Sequence, residues 1–346
     1  MRSLVVALTI AGAIAAGAPV RAADNLLLSR FGDYLESLRT QAGIPGLAAA
    51  IVGSNDIAWE RAFGQQDVDR VVATRTDTPF HLDGLTQTVA AAVVLSCVDE
   101  GHVALSDRID RYAPGNPYGP ATIGQILSHT TGGVFSYQRA RLDALSPVIE
   151  SCEGTSFRLT LVNMLENYAM MDSVPGPDSV SLAPSGIRQS TLSRYASVLE
   201  RLAVPYAVDQ RGRASRSQYP ATSITPAAGL ISTVRDYARF DVALKVGVIL
   251  RPDTLAMAWT APAGADGRPL PHGLGWFVQN YNGEKVVWQF GQADNASSSL
   301  VVILPARSLT LVLLANSDGL AKSFGLANGD VSTSPFAKLF LGLFVK

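Results

Sequence analysis

The residues that could do chemistry are few, and the most informative group lies where a helix is predicted to begin, in the stretch PFHLDGLTQTVAAAVV. Asp83, Gly84 and Gln87 stand there within one helical turn. We expect Asp83 to cap the helix, because its carboxylate can accept from the first free backbone N–H groups. The same N–H groups could bind the carbonyl or carboxylate of a ligand. Neither Gly84 nor Gln87 is a nucleophile, so a structural helix start and an anion-binding one both stay open.

Two other kinds of site find little support. Ser317 follows a predicted strand in LLANSDG, an Ala-x-Ser-x-Gly context similar to a nucleophile elbow, but the first glycine of that motif is absent. The histidines are scattered without metal-ligand spacing, so we expect neither a metal nor a cofactor; they are His81, His102, His129 and His272. For His129 we expect structural hydrogen bonds.

The elements that must position these residues follow from the hydrophobic pattern. Apolar residues at helical spacing predict an N-terminal helix that stops at Gly43. Two strands follow, and helical patterns then extend from Asp83 to about Ala203. A long helix opened by Pro226 comes next. The C-terminal part carries four strand-like runs and a short helix; they are HGLGWFVQNY, EKVVWQFG, SSLVVILP, SLTLVLLANS and SPFAKLFLGLFVK. This order predicts an α+β fold, an antiparallel sheet flanked by terminal helices with an inserted helical lobe.

Composition and the N-terminus bear on where the protein acts. The 346 residues are 47% hydrophobic and 16% charged, with a formal charge of −1, which fits an ordinary globular protein and gives no attraction to nucleic acid. Residues 1–22 have a basic start at Arg2, an apolar run and a small-residue cleavage region. We expect a cleaved signal peptide, export to the periplasm or beyond, and no membrane anchor afterwards.

The two cysteines, Cys97 and Cys152, leave two possibilities open. An oxidising compartment would allow a disulfide if their side chains approach each other. Two buried free thiols are the simpler expectation, and we favour them.

Six short motifs, in a fixed order, resemble the serine β-lactamase and penicillin-binding-protein family, especially its class C β-lactamase and esterase-like branch. They are TPF at 78–80, DEGHVALSDRI at 99–109, ILSHTTGG at 126–133, AAGLISTVRDYARF at 227–240, GLGW at 273–276 and LANS at 314–317. The resemblance implies a β-lactamase/transpeptidase-like domain over residues 23–346. Its α/β lobe would comprise residues 23–82 and 221–346, and its helical lobe residues 83–220.

The resemblance also implies a mechanism, in which a serine attacks an acyl carbonyl beside an oxyanion hole while a lysine three residues later takes the proton of the serine hydroxyl. In this chain Gly84 stands at the serine position and Gln87 at the lysine position. Tyr137 stands at the tyrosine position of a Tyr-x-Asn motif, and Arg139 replaces its asparagine.

The family's Lys/His-x-Gly motif aligns with WQFGQA. This places Gln289 at the cationic position, Gly291 at the glycine and Gln292 at the second oxyanion N–H. A Ser-x-x-Lys motif does not occur elsewhere either, because none of the five lysines has a serine three residues before it.

Two functions therefore compete. The first is a pseudoenzyme that binds a cell-wall fragment, a small acyl compound or a protein partner, through Gly84, Tyr137, Arg139, Gly291 and Gln292. The second is a hydrolase of the β-lactamase, carboxypeptidase or esterase type that uses a non-standard nucleophile or an activated water, with Tyr137 as general base. The second hypothesis is weaker because the sequence places no lysine near Tyr137 that would lower the pKa of its phenol.

Overall fold

The architecture is known from a computed structural model, which describes residues 22–182 and 186–345. The helices are α1 (Ala22–Gln41), α2 (Thr86–Asp99), α3 (Ile123–Leu127), α4 (Ser146–Glu153), α5 (Phe157–Asn167), α6 (Gln189–Glu200), α7 (Val234–Lys245), α8 (Pro252–Ala258) and α9 (Pro335–Phe344). The strands are β1 (Gly46–Val52), β2 (Ile57–Asp67), β3 (Val72–Ala73), β4 (Phe80–His81), β5 (Val174–Pro175), β6 (Tyr206–Val208), β7 (Ala214–Arg216), β8 (Leu230–Ser232), β9 (Phe277–Tyr281), β10 (Glu284–Ala293), β11 (Ser297–Leu304) and β12 (Leu309–Ala315). The expected signal peptide lies almost wholly outside the described residues.

A seven-stranded antiparallel sheet forms the centre of the molecule, in the order β3-β2-β1-β12-β11-β10-β9. The N-terminal hairpin β1–β2 joins the C-terminal strands through β12, with Leu47 opposite Ala315. Because β1 is buried on both faces, its sequence GLAAAIV is continuously apolar instead of alternating. The predicted α+β fold is confirmed.

Helices cover both faces of this sheet. Phe31 and Leu35 of α1 pack with Phe336 and Phe340 of α9 against one face. The opposite face packs against α2, α7 and the helical segments between β4 and β8. No helix among the described residues is both long enough and apolar enough to cross a bilayer.

The long helix predicted from Pro226 onward is wrong. The chain first forms β8, the middle strand of a small sheet ordered β4-β8-β5. Gly229 has a φ of +107°, and a Cβ there would lie 2.2 Å from the carbonyl oxygen of Ser223, so a helix cannot continue through it. Helix α7 begins only after Thr233, whose side chain accepts from the backbone N–H of Asp236 (3.1 Å).

The expectation of two free thiols is also wrong. Cys97, in the last turn of α2, and Cys152, in α4, form a disulfide with their Cα atoms 6.2 Å apart. The hydrophobic packing of α2 against α4 brings together two cysteines that are 55 positions apart in the chain.

Candidate functional site

The turn before α2 lies directly on the central sheet. Residues Asp83–Leu85 form a 3₁₀ turn, and the α-helix starts only at Thr86. A Cβ on Gly84 would lie 2.5 Å from the carbonyl oxygen of Phe290, and one on Gly291 would lie 2.8 Å from the backbone nitrogen of Gly84. Real Cβ atoms do not approach backbone this closely, so only glycines allow the turn and β10 to touch. The space at the serine position is therefore filled by a strand carbonyl.

The predicted capping role of Asp83 is wrong. Its carboxylate is buried and faces β11, where the Ser297 hydroxyl donates to Oδ2 (2.6 Å), and its φ of +47° is rare for a residue other than glycine. Burial raises the pKa of Asp83 to about 7, against the lowering effects of Ser297 and Arg139. His81 lies 3.8 Å away, and burial lowers the pKa of its imidazole to about 4.

Gln87, at the lysine position, is fully buried and hydrogen-bonded at both ends. Its Nε2 donates to the hydroxyl oxygen of Tyr137 (2.8 Å). Its Oε1 accepts from Nε2 of His129 (3.1 Å), because Nδ1 of the same ring accepts from the backbone N–H of Gln138 (3.3 Å). The amide thus occupies the place of the expected amine without a charge.

The hydrogen-bond chain continues into β10 and the loop before β9. The Tyr137 hydroxyl donates to Oε1 of Gln289 (3.4 Å), and Nε2 of Gln289 donates to Nε2 of His272 (3.4 Å) and to the carbonyl of Gly275 (3.2 Å). Nδ1 of His272 donates to the carbonyl of Gly273 (2.8 Å). We call Gln87, His129, Tyr137, Gln289 and His272 the amide network.

The amide network is neutral at physiological pH. Burial lowers the pKa of His272 to about 4, and burial together with His272 and Arg141 lowers that of His129 well below 6.5. Burial raises the pKa of Tyr137 to about 12, outweighing the hydrogen bond from Gln87 and the charge of Arg139. No member of the network is poised to take a proton from an attacking group near pH 7.

A cleft of about 490 Å³ lies beside this network, at the edge of β10. Its lining comprises Tyr137, Arg139, Ala140, Pro220, Phe290, Gln292, Ala293, Asp294 and Ala327. Arg139 donates to the backbone carbonyl of Gln292, whose side chain in turn donates to Asp294 (2.7 Å). A separate cleft of about 380 Å³ lies along α7 and contains none of the predicted site residues.

The predicted binding residues divide into two groups. Tyr137, Arg139 and Gln292 line the cleft, whereas Gly84 and Gly291 press against each other beneath it. The sequence analysis missed the part played by His272 in the amide network. No local signal could have shown it, since its partner Gln289 is 17 positions away on another element.

Ser317 and the histidines have structural surroundings. Ser317 is fully buried in extended backbone, and its Oγ has no hydrogen-bond partner among the described residues, so it is not presented on an elbow. The rings of His129 and His272 lie 4.7 Å apart, but hydrogen bonds already use both nitrogens of each ring.

Comparison with known sequences places this geometry in context. A family model described as Beta-lactamase matches residues 31–164 and 180–331. Penicillin-binding protein 4* of Bacillus subtilis is 22% identical over 319 residues, which is 82% of this chain and 70% of that protein. Protein Rv1367c of Mycobacterium tuberculosis is 25% identical over 251 residues, 56% of this chain. The match spans only 62% of that relative's own length.

Solved structures share the fold at low sequence identity. The octameric penicillin-binding protein homologue from Pyrococcus abyssi has a TM-score of 0.73 and 19% identity, over 91% of this chain and 77% of its own. The D-amino acid amidase from Ochrobactrum anthropi SV3, complexed with L-phenylalanine amide, also has a TM-score of 0.73. It is 16% identical, over 92% of this chain and 98% of its own.

Removing the phenol oxygen tests the amide network. Tyr137→Phe leaves Nε2 of Gln87 without its acceptor in a buried place, so we expect the free energy of unfolding to fall by about 1–3 kcal/mol. Urea unfolding followed by circular dichroism measures this loss. Tyr34→Phe, at a side chain 61% exposed, is the matched control and should change it by less than about 0.5 kcal/mol. Equal effects of the two variants would contradict the network.

The buried carboxyl of Asp83 should make stability depend on pH. Between about pH 4, where an unfolded aspartate titrates, and the folded pKa of about 7, only the folded chain keeps the proton. Stability from this group therefore falls as pH rises through that window. Asp83→Asn keeps an acceptor for Ser297 and tolerates positive φ. Relative to wild type it should gain about 2–4 kcal/mol across the window, as measured by urea unfolding.

Above about pH 6.5 the His81 imidazole is neutral in both the folded and the unfolded chain, so the gain at the upper end of the window reports Asp83 alone. Asp253→Asn, at an exposed position of α8, should follow wild type at every pH. Parallel stability curves for wild type and Asp83→Asn would show that the Asp83 carboxyl does not titrate in this window.

Proposed function

The chain belongs to the Beta-lactamase family, and from that membership we propose that it is an exported pseudoenzyme that binds a small acyl ligand without reacting with it. One observation carries the proposal: the amide network, a closed chain of neutral hydrogen bonds, fills the positions where relatives of this type would hold a lysine and a second cation. Residues 1–22 supply the basis for export.

The surroundings of Gly84 support the loss of acyl-transfer chemistry. A serine there would need a Cβ 2.5 Å from the Phe290 carbonyl oxygen, so β10 leaves no room for a nucleophilic side chain unless the backbone shifts. Oxyanion stabilisation also needs space about 3 Å from both N–H donors. The close approach of the Gly84 turn to β10 argues against such a space beside the backbone N–H of Gly84.

The competing hydrolase hypothesis loses support for a different reason. A general base should have a pKa near the working pH, whereas burial moves the pKa of Tyr137 upward to about 12. Ser317 is fully buried just after β12, which keeps its hydroxyl from a substrate.

The cleft supports a small ligand over a protein partner. Its volume of about 490 Å³ falls in the range of small-molecule sites, and apolar walls with a few polar groups are typical of such sites. Arg139 offers a cation at one wall, and a carboxylate is its natural partner. We therefore propose an acyl compound or cell-wall fragment that carries a carboxylate. Penicillin, for which the Bacillus subtilis relative is named, is a suitable first probe.

The chemical part of the proposal is tested by intact mass. We expect the mass of folded protein to stay unchanged after incubation with a penicillin, a fluorophosphonate and an activated ester. The same result is expected for the double variant Gly84→Ser with Gln87→Lys, because the serine clashes with Phe290 and the lysine enters a neutral buried network.

A stable adduct on wild type, mapped to Tyr137 or Ser317, would overturn the pseudoenzyme and identify its nucleophile. The control variant is Gly53→Ser, where a Cβ would meet only the Asp56 carbonyl oxygen at 3.5 Å. That variant should fold like wild type, whereas Gly84→Ser should lower the unfolding midpoint.

The binding part is tested at Arg139. We expect Arg139→Ala to weaken reversible binding of penicillin by about 10-fold or more, since a charge-assisted hydrogen bond contributes about 1.5–3 kcal/mol. Equilibrium dialysis measures the affinity. Arg70→Ala, at a side chain 79% exposed and outside the cleft lining, should leave it unchanged. Equal affinities of wild type and Arg139→Ala would contradict the proposal that Arg139 binds the carboxylate of the ligand.

A further inference from the structure

A second group of reactive side chains lies in the helical lobe, away from the cleft. The disulfide between Cys97 and Cys152 sits between the end of α2 and the end of α4. His102 follows α2 after one turn, and Glu153 is the last residue of α4. We call Cys97, His102, Cys152 and Glu153 the Cys–His–Glu cluster.

The spacing of donor atoms within this cluster resembles one metal site. Nδ1 of His102 lies 3.5 Å from Sγ of Cys152, and Oε1 of Glu153 lies 3.8 Å from Sγ of Cys97. The donor atoms of Cys97, Cys152 and Glu153 all lie within 4.8 Å of one another. Zinc bonds of about 2.0–2.3 Å in a tetrahedron put neighbouring ligand atoms about 3.3–3.8 Å apart. The two distances from His102 to Cys152 and from Glu153 to Cys97 already fall in that range.

The backbone also suits two thiolates on one ion. A Cα separation of 6.2 Å lets the two sulfur atoms either bond to each other or move apart to share a metal by side-chain rotation. The remaining two ligands come from short segments next to the same helix ends. Side-chain rotation, at His102 above all, would bring the four donor atoms round one ion.

The local charge favours a cation. Glu100 and Glu153 place two carboxylates at the cluster. Oε2 of Glu100 lies 3.3 Å from Nδ1 of His102. A divalent ion would offset the repulsion between these two carboxylates. His102 would then bind through Nδ1, with its proton on Nε2 and Glu100 at the margin of the site.

We propose that, once the disulfide is reduced, Cys97, His102, Cys152 and Glu153 bind one zinc ion. A dithiol supplies the two electrons: it becomes a cyclic disulfide, and the protein disulfide becomes two thiols. On metal binding both thiols lose their protons to solvent and bind as thiolates. The donor set of two sulfur atoms, one imidazole nitrogen and one carboxylate oxygen is one that zinc accepts.

The consequence is that α2 and α4 stay linked in either redox state. Under oxidising conditions the link is the disulfide, and under reducing conditions it is the metal. This inference uses none of the residues of the cleft and stands apart from the proposed function.

Cobalt titration of the reduced full-length protein tests the site. After reduction with tris(2-carboxyethyl)phosphine, we expect one Co²⁺ per chain, with tetrahedral visible bands and a thiolate-to-cobalt charge-transfer band. The oxidised protein should show neither. His102→Ala and Glu153→Gln should each weaken Co²⁺ and Zn²⁺ affinity by at least about 10-fold. Glu150→Gln, exposed on the same helix, is the matched control and should bind like wild type.

Two results would overturn the inference: a reduced, folded protein without stoichiometric Co²⁺, or two ligand variants that bind as tightly as wild type. If reduction unfolds the chain, added Zn²⁺ should restore the far-ultraviolet circular dichroism of the oxidised protein. Failure of Zn²⁺ to restore that spectrum would equally overturn it.

Discussion

The direct contact of two backbones, at Gly84 and Gly291, is the constraint on which the candidate site depends. It holds the 3₁₀ turn against β10, so the start of α2 cannot open a pocket of its own. One turn further along α2, Gln87 is linked to Gln289 of β10 through the Tyr137 hydroxyl. The cleft consequently lies at the edge of β10. Arg139 and Gln292 line it, whereas Gly84 does not.

Neutral amides explain how such a site can be buried without a catalytic charge. A buried lysine amine loses its hydration and needs an anion beside it. A lysine without such an anion would therefore destabilise the folded chain at this position. A carboxamide both donates and accepts, so Gln87 can join a phenol to an imidazole, and Gln289 can do the same at the other end. A fully paired polar chain of this kind fixes one arrangement of the surrounding side chains. It also leaves the lysine position without a charge.

Much of this could be predicted from the sequence, because ordered motifs and the hydrophobic period define the strands of the large sheet. The resemblance also brought Gln87, Tyr137 and Gln289 to one place. What escaped prediction depends on distant partners. Asp83 turns inward because Ser297, 214 positions later, donates to it. Apolar residues before α7 fit a helix as well as a strand, and only pairing with β4 and β5 selects β8. A disulfide likewise depends on how two helices pack.

The pairing of β1 with β12 has a consequence for the order of folding. The backbone N–H of Gly46 donates to Oδ1 of Asn316 (2.7 Å), a residue 270 positions away. The apolar strand β1 therefore keeps one edge unpaired until the distant C-terminal strand β12 is available to pair with it. Contacts of such long range form slowly and leave a strand edge open to wrong partners. We expect the nascent chain to need protection from a chaperone until β12 arrives.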